Sequence, residues 1–570
     1  MDPLSLLNSL MRRSTLGERT ILEIDLDLTV LSAPADNPLE ALKAINAPTM
    51  RALREGLAEA AGDPSVAGLI LHVGTCPLTV TQADELGDAL VAFGRHKPVW
   101  AYTESFGEEG GGLIPYLLAS RATTIWLQPS GQLAVAGVRA QIMLLRGVFD
   151  KVGIEPQFGQ RHEYKSAANT YAAHEVTGPH QEMMQRIADS LTQHAHTVIG
   201  ERRGLSDEAV AAAAQAGPLR PDEALERGLI DRIGYRDEVY AAARAAWSDQ
   251  AEPKLRYVHR YSRAGGGPLE LMTQRSRPAV AVVGVRGAIV GGRPNRPQGG
   301  TQPVAAAELV CQQLRAAARD PHVRAVVLRV DSPGGSYTAS DQIRREVLQL
   351  RASGRPVVAS MGDLAASGGY FVAMPADEIV ANPSTLTGSI GVLAGKMVLT
   401  ELKRKIGLVM QDVLGGPWAD FMSPNQQFTE EHWAALNRRL DDIYADFTAK
   451  AASDRRLELD VLEPLARGRV WTGMDAAERG LVDHVGGMAL AIERAAALAG
   501  LRVDDLTVRP VSPFGFLAQF RPAESSESLG AVRVTTAPAP GVDGLIDWAA
   551  GRLGLAPGGA LSLPFRIDLG

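Results

Sequence analysis

Cysteine is almost missing from this sequence: Cys76 and Cys311 are the two among 570 residues. A disulfide framework and a cysteine-based zinc cluster both need several thiols at set spacings, so both are excluded. Aromatic residues are sparse, at 5%, and no run of about 18 apolar residues occurs, so no transmembrane helix is expected. Neither sign of charge dominates. With 58 basic and 65 acidic residues the formal charge is −7, which gives no electrostatic reason to expect nucleic acid, whose binding leans on phosphate neutralisation. The amino terminus has no basic residues ahead of its short apolar stretch and no small-residue cleavage pattern after it, so it does not read as a secretory signal. Leu4, Leu7 and Met11 share one helical face ahead of Arg12 and Arg13. A docked terminal helix is the simpler reading of that face, and a weak membrane-surface anchor is the alternative.

What is present is a repeat. Residues 63–73 read Asp-Pro-Ser-Val-Ala-Gly-Leu-Ile-Leu-His-Val, and residues 320–330 read Asp-Pro-His-Val-Arg-Ala-Val-Val-Leu-Arg-Val, 257 positions later. Lys97-Pro-Val matches Arg355-Pro-Val, Tyr116 matches Tyr370, and Arg227-Gly-Leu-Ile-Asp231 matches Arg479-Gly-Leu-Val-Asp483. Matches that stay in order at a nearly constant offset mark a diverged tandem duplication. Within each copy, short β-branched runs alternate with helical periods. In the second, Val323–Val330 reads as a strand covered on both faces, Ser340–Leu350 as an amphipathic helix, Val357–Ser360 as a strand, Gly368–Met374 as a helix start and 377–381 as a strand. Repeated strand–helix–strand units imply an α/β fold with mainly parallel sheets. The expected layout is an extension over 1–19, a first repeat over 20–255, a Gly/Pro/Arg-rich linker over 256–276, a second repeat over 277–505 and a loosely structured tail over 506–570.

The copies differ where chemistry is plausible. Asp363-Leu-Ala-Ala-Ser-Gly-Gly-Tyr370 follows a strand and opens a helix, so Ser367 stands on a turn with backbone N–H groups beside it. A second glycine loop, Asp331-Ser-Pro-Gly-Gly-Ser336, ends the preceding strand and can bring another N–H to the same spot, the plan of an oxyanion hole. On Ser-Gly-Gly alone, a small residue where helices meet is the simpler account. The serine needs a base, and no histidine lies in either loop. Neither Ser-x-x-Lys nor Gly-x-Ser-x-Gly stands at this serine. Lys165, in the segment His162-Glu-Tyr-Lys-Ser-Ala167, is the candidate, although a single lysine is usually a solvated one. Its counterpart in the second copy is Ala419, and the counterpart of Ser367 in the first is Leu113. One copy keeps the amine and the other the hydroxyl, as a single composite site would require.

These segments, with Asn382-Pro-Ser-Thr-Leu-Thr-Gly-Ser-Ile-Gly391 and Val470-Trp-Thr-Gly473, resemble signal peptide peptidase A in its long, duplicated form, over roughly residues 20–505. The resemblance implies two tandem Clp-protease/crotonase-like repeats built from ββα units, and a Ser/Lys dyad. Carried onto this sequence, it makes Ser367 the nucleophile and Lys165 the general base. Ser389 would hold the lysine amine, and Gly335 and Gly368 would supply the oxyanion-hole N–H groups. It also implies apolar peptide substrates such as cleaved signal peptides, a homo-oligomer, tetrameric in the family, and no cofactor or metal. Relatives of the long form carry a membrane anchor that is not seen here, so the location expected is membrane-associated, by peripheral contact, or cytoplasmic. A lysine with an ordinary pKa near 10.4 is protonated at neutral pH, so the base must be buried to become neutral. Gly391-Val-Leu-Ala-Gly-Lys396 falls short of a phosphate-binding loop, and His162-Glu163 opens no zinc motif. His162 could line the site but reads more simply as a solvated or capping residue, and Trp418 and Trp471 as core or interface residues. The alternatives on the same fold are a crotonase-like acyl-CoA enzyme and a non-catalytic oligomeric scaffold.

Overall fold

Residues 19–31, 47–108, 111–247, 253–261, 276–292 and 304–511 are described by the structure, a computed structural model. The apolar face at Leu4, Leu7 and Met11 and the tail beyond residue 511 lie outside them. The described residues divide into two compact units, one of residues up to 139 and from 191 to 261, the other of residues 140–190 and from 276 to 511.

In the first unit six parallel strands form one sheet, in the order Arg232–Ile233, Thr124–Leu127, Val99–Thr103, Val66–His72, Thr20–Asp25, Lys254–Tyr257. In the second unit the same order recurs with His484–Val485, Glu378–Ala381, Val357–Ala366, Val323–Ser332, Ala279–Arg286 and Thr507–Pro510. Each strand of one sheet is the repeat counterpart of the strand at the same place in the other. The central strands are aliphatic throughout because helices cover both faces: Leu69, Ile70 and Leu71 are fully buried, as are Val326, Val327 and Leu328. Full burial of one such side chain is worth about 1.5–3 kcal/mol.

The second sheet carries two strands more. Leu386–Gly388 pairs in parallel with the far end of Val357–Ala366, and Val470–Thr472 pairs antiparallel with Leu386–Gly388. In the first unit the corresponding contacts shrink to the isolated bridges Phe106–Leu133 and Leu133–Leu219.

Two helices at matching places in the repeats begin where side chains cap them. Thr79 accepts from the Gln82 N–H at the start of Val80–Gly94, and Ser336 accepts from the Ala339 N–H at the start of Tyr337–Ala352. The second helix therefore opens three residues before Ser340, where the apolar periodicity alone places its start. Ala339, Ile343, Val347 and Leu350 form the buried stripe of the second.

The sequence repeat and the compact units do not share boundaries. Residues 140–190, part of the first repeat in sequence, pack into the second unit. The cause is a six-residue antiparallel ladder between Glu155–Gln160 and Leu393–Val398. Side chains reinforce it: Arg161 bonds Asp441 and Asn437 of the helix Glu430–Arg455, and Phe428 N–H donates to Gln157 Oε1 at 2.7 Å. The second repeat also runs past the expected end at 505, because Thr507–Pro510 completes its sheet just as Lys254–Tyr257 completes the first. No helix of the described residues is long and apolar enough to cross a membrane.

Candidate active site

Strand Val357–Ala366 ends at the turn that carries Ser367, and helix Gly368–Ala373 begins immediately after it. Ser367 has φ 54° and ψ −114°, a conformation that a residue with a Cβ adopts only under constraint. The constraint is partly visible: Ser367 N–H donates to Gly388 O at 2.8 Å. The two glycines after it are there for packing. A Cβ on Gly368 would stand 2.8 Å from Ser340 Oγ and 3.0 Å from Gly334 Cα, and one on Gly369 would stand 2.6 Å from Ser332 O. Both glycines let the helix press against the Asp331–Ser336 loop.

Lys165 reaches this turn from the same unit. Its Nζ lies 2.8 Å from Ser367 Oγ, 2.9 Å from Ser389 Oγ and 3.2 Å from Ser389 O. Lys165 and Ser367 are wholly buried and Ser389 nearly so. Among the described residues the lysine has no carboxylate partner, so burial acts on its charge unopposed and lowers its pKa from 10.5 to about 7. A neutral amine at hydrogen-bonding distance from a hydroxyl can accept its proton. Ser389 shares the unusual backbone of Ser367, with φ 51°, and its N–H is held by Arg469 O at 2.7 Å.

The remaining expected residues lie close by. Gly335 is at the edge of the same turn, its nitrogen 3.1 Å from where a Gly368 Cβ would be, so the two glycine loops abut. A Cβ on Gly335 would fall 2.1 Å from Ile289 O, and this loop is tied to Ile289 by bonds from Ile289 N–H to Gly334 O and from Ser336 N–H to Ile289 O. His162 does not join the group: its ring packs against Tyr444, with centroids 4.4 Å apart. Trp471 is buried between the guanidinium groups of Arg469 and Arg479, and its indole N–H donates to Leu465 O. Trp418 is about half exposed and touches Phe421 and His432.

One contributor escaped the sequence reading. Gly468, with φ 82°, lies so close to Lys165 that a Cβ there would be 2.5 Å from both the lysine nitrogen and its Cβ. Gly391 completes the slot, with a Cβ position 3.2 Å from Lys165 Cδ. The available signal was a glycine between two arginines, Arg467-Gly-Arg469, directly before the Val470-Trp-Thr-Gly473 motif. Those arginines pin the lysine segment from the side: Arg467 pairs with Glu163 at 3.0 Å and Arg469 with Glu182 at 2.8 Å, while Tyr164 donates to Glu182 at 2.9 Å.

Among the described residues, a grouping with metal-ligand spacing is found elsewhere, at Asp25, Asp27 and His72 of the first unit. Both ring nitrogens of His72 are already engaged within the protein, by Asp25 at 3.0 Å and Glu104 at 3.0 Å.

Comparison with known proteins adds a family. The profile of peptidase family S49 matches residues 92–248 and 349–502, one stretch in each repeat. Over 442 residues the chain is 32% identical to the chloroplastic serine protease SPPA of Arabidopsis thaliana, covering 77% of this chain and 64% of that protein. Protease 4 of Salmonella typhi is 32% identical over 462 residues, covering 78% of this chain and 71% of its own length. Protease 4 of Haemophilus influenzae is 28% identical over 464 residues, with coverages of 78% and 72%.

Proposed function

This chain belongs to peptidase family S49, and from that premise we propose that it is a serine endopeptidase with a Ser/Lys dyad, Ser367 the nucleophile and Lys165 the base. The observation that carries the reading is the 2.8 Å separation of Lys165 Nζ from Ser367 Oγ, in surroundings that favour the neutral amine. Ser367 Oγ attacks a peptide carbonyl while Lys165 takes the hydroxyl proton. The oxyanion of the tetrahedral intermediate is met by the N–H groups of Gly335 and Gly368. Lys165 returns the proton to the leaving amine, and an acyl-enzyme on Ser367 remains. Water then attacks that ester, with Lys165 again as base, and releases the carboxylate product. Ser389 orients the amine by its two contacts at 2.9 and 3.2 Å. Ser367 has no exposed surface in this conformation, so a peptide must displace what covers it.

Cleaved signal peptides or other apolar peptides are the substrates this reading favours, through the family resemblance. A homo-oligomer, tetrameric in that resemblance, and peripheral membrane contact belong to the same reading. Incubation of the full chain with a panel of apolar and polar peptides, and separately with a fluorophosphonate, tests it. Wild type should cleave and label at Ser367, and Ser367→Ala and Lys165→Ala should do neither. Turnover retained in either variant overturns the dyad, and a folded oligomer that neither cleaves nor labels favours the scaffold instead.

A further inference from the structure

The segment that carries Lys165 is gripped by one arginine in two ways. The Arg469 guanidinium lies over the rings of Tyr164 and Trp471, 4.6 Å from each centroid. It also pairs with Glu182 at 2.8 Å, and Tyr164 donates its hydroxyl to the other oxygen of that carboxylate at 2.9 Å. Arginine, glutamate and tyrosine thus close a ring of contacts one residue from the lysine. The main chain of Arg469 makes the second grip. Its carbonyl accepts the Ser389 N–H at 2.7 Å, and Ser389 is the residue whose hydroxyl and carbonyl meet the lysine amine. Gly468 N–H donates to Ile390 O at 2.7 Å and Val470 pairs with Gly388, so residues 468–470 run beside 388–390 without a break. Glu182 is itself well placed: with Arg186 and Ser190, each one turn further along the helix Gly178–Arg203, it meets the chain at Arg469, Asp475 and Thr472.

The duplication separates this clasp from the scaffold. At the offset that relates Arg227 to Arg479, Gly217 stands where Arg469 does and Ala434 where Glu182 does. The Arg203–Asp231 pair recurs as Arg455–Asp483, whereas the clasp has no such copy and goes with the amine. We infer that Arg469 is a positioning residue that registers the Lys165 amine against the Ser389 hydroxyl, holding the lysine's segment by its guanidinium and the serine by its carbonyl. This rests on the dyad reading above. The place needs a planar group: a lysine there keeps the charge but can neither stack flat on two rings nor present the arginine fork. With the stack lost, the segment loosens, water reaches the amine and hydration favours its charged form. The charged groups around the segment, Glu163, Glu182, Glu463, Arg467 and Arg469, are paired with one another, and Arg469→Lys leaves their net charge as it is.

The test follows the rate at which a fluorophosphonate labels Ser367 in the full chain against pH, which needs no knowledge of the substrate. In wild type the rate should rise about tenfold per unit up to about pH 7 and then level off. Arg469→Lys should move that limb by about one unit to the alkaline side and lower the plateau by about 10- to 100-fold. Tyr164→Leu, which removes one ring of the stack at a partly buried position, should move the limb the same way by less. An Arg469→Lys profile that matches wild type shows that charge alone suffices and overturns the role. A lowered plateau with the limb unmoved marks an ordinary loss of packing and overturns it too. Should Arg469→Lys not fold, Tyr164→Leu decides, and an unmoved limb there is the overturning result. A wild type that never labels overturns the dyad and this role together, while a wild-type limb that neither variant moves overturns this role and leaves the dyad standing.

Discussion

Tyr116 and Tyr370 hold matching places in the two units, each donating its hydroxyl to a backbone carbonyl, Leu229 O at 2.5 Å and Leu481 O at 3.0 Å. Beside them the correspondence continues. Arg203 pairs with Asp231 at 2.8 Å and donates to Gly228 O, as Arg455 pairs with Asp483 at 2.7 Å and donates to Gly480 O. The two aspartates also accept from equivalent strand N–H groups, of Ile125 and Ile379. These bonds tie the outer strands to the helix behind the sheet in both units. The units part company at the turn after the third strand, where one has Leu113 at a helix start and the other a strained serine facing a buried amine. Duplication has kept what the fold needs in both copies and the chemical groups in one arrangement only.

The largest test of that division transplants the serine. Ser367→Ala should lower kcat/KM by about 10⁴-fold or more, and adding Leu113→Ser should restore nothing, because Ala419 stands at the sequence counterpart of Lys165. Restoration would make the first unit a second active centre. Next in size is Gly468→Ala, whose methyl group must displace Lys165. A shift on the order of 1 Å costs about 10²-fold, so kcat should fall by that order in protein that still folds, and an unchanged kcat would remove Gly468 from the positioning of the lysine.

The pH dependence sharpens the same contrast. With the Lys165 pKa at about 7, activity should rise roughly tenfold per unit below that pH and level off above it. Stability carries a matching signature. The unfolded lysine titrates near 10.5 and the folded one near 7, so the folded state binds fewer protons between those values. The penalty for burying the amine is therefore full below about pH 7 and fades as pH rises towards 10.5. Lys165→Met should stabilise the protein by a few kcal/mol at neutral pH and by little at pH 10.5, which denaturant unfolding at several pH values would read. A stability difference independent of pH would mean that the amine is not neutral in the folded state. The smallest effect concerns the shared anchors. Asp231→Asn and Asp483→Asn should each cost about 1–2 kcal/mol by loss of charge-assisted bonds, with turnover per folded molecule changed less than about threefold. A selective loss of turnover in Asp483→Asn would join this anchor to the chemistry.

Local sequence carried a good deal of this. The aliphatic strands, the two glycine loops and the complementary loss at Lys165/Ala419 and Leu113/Ser367 were legible because each is a matter of residue type and spacing. The placement of residues 140–190 in the second unit was not, because it depends on a ladder between segments more than 200 residues apart, whose register no periodicity encodes. Gly468 was missed for a related reason: a glycine shows its purpose only when the chain it must clear is known. The strand Thr507–Pro510 is short, ends in proline and has little to mark it except the neighbour it pairs with.

The separation of Lys165 from Ser367 by 202 positions, with Gly468 behind the lysine, has a bearing on biosynthesis. A polypeptide leaving the ribosome cannot assemble the pair when the amine emerges, nor when the hydroxyl does. It must wait for the stretch around residue 468 to close the slot. On the proposed dyad, the growing chain is thus without its catalytic pair over most of translation, a consequence of the order of its segments.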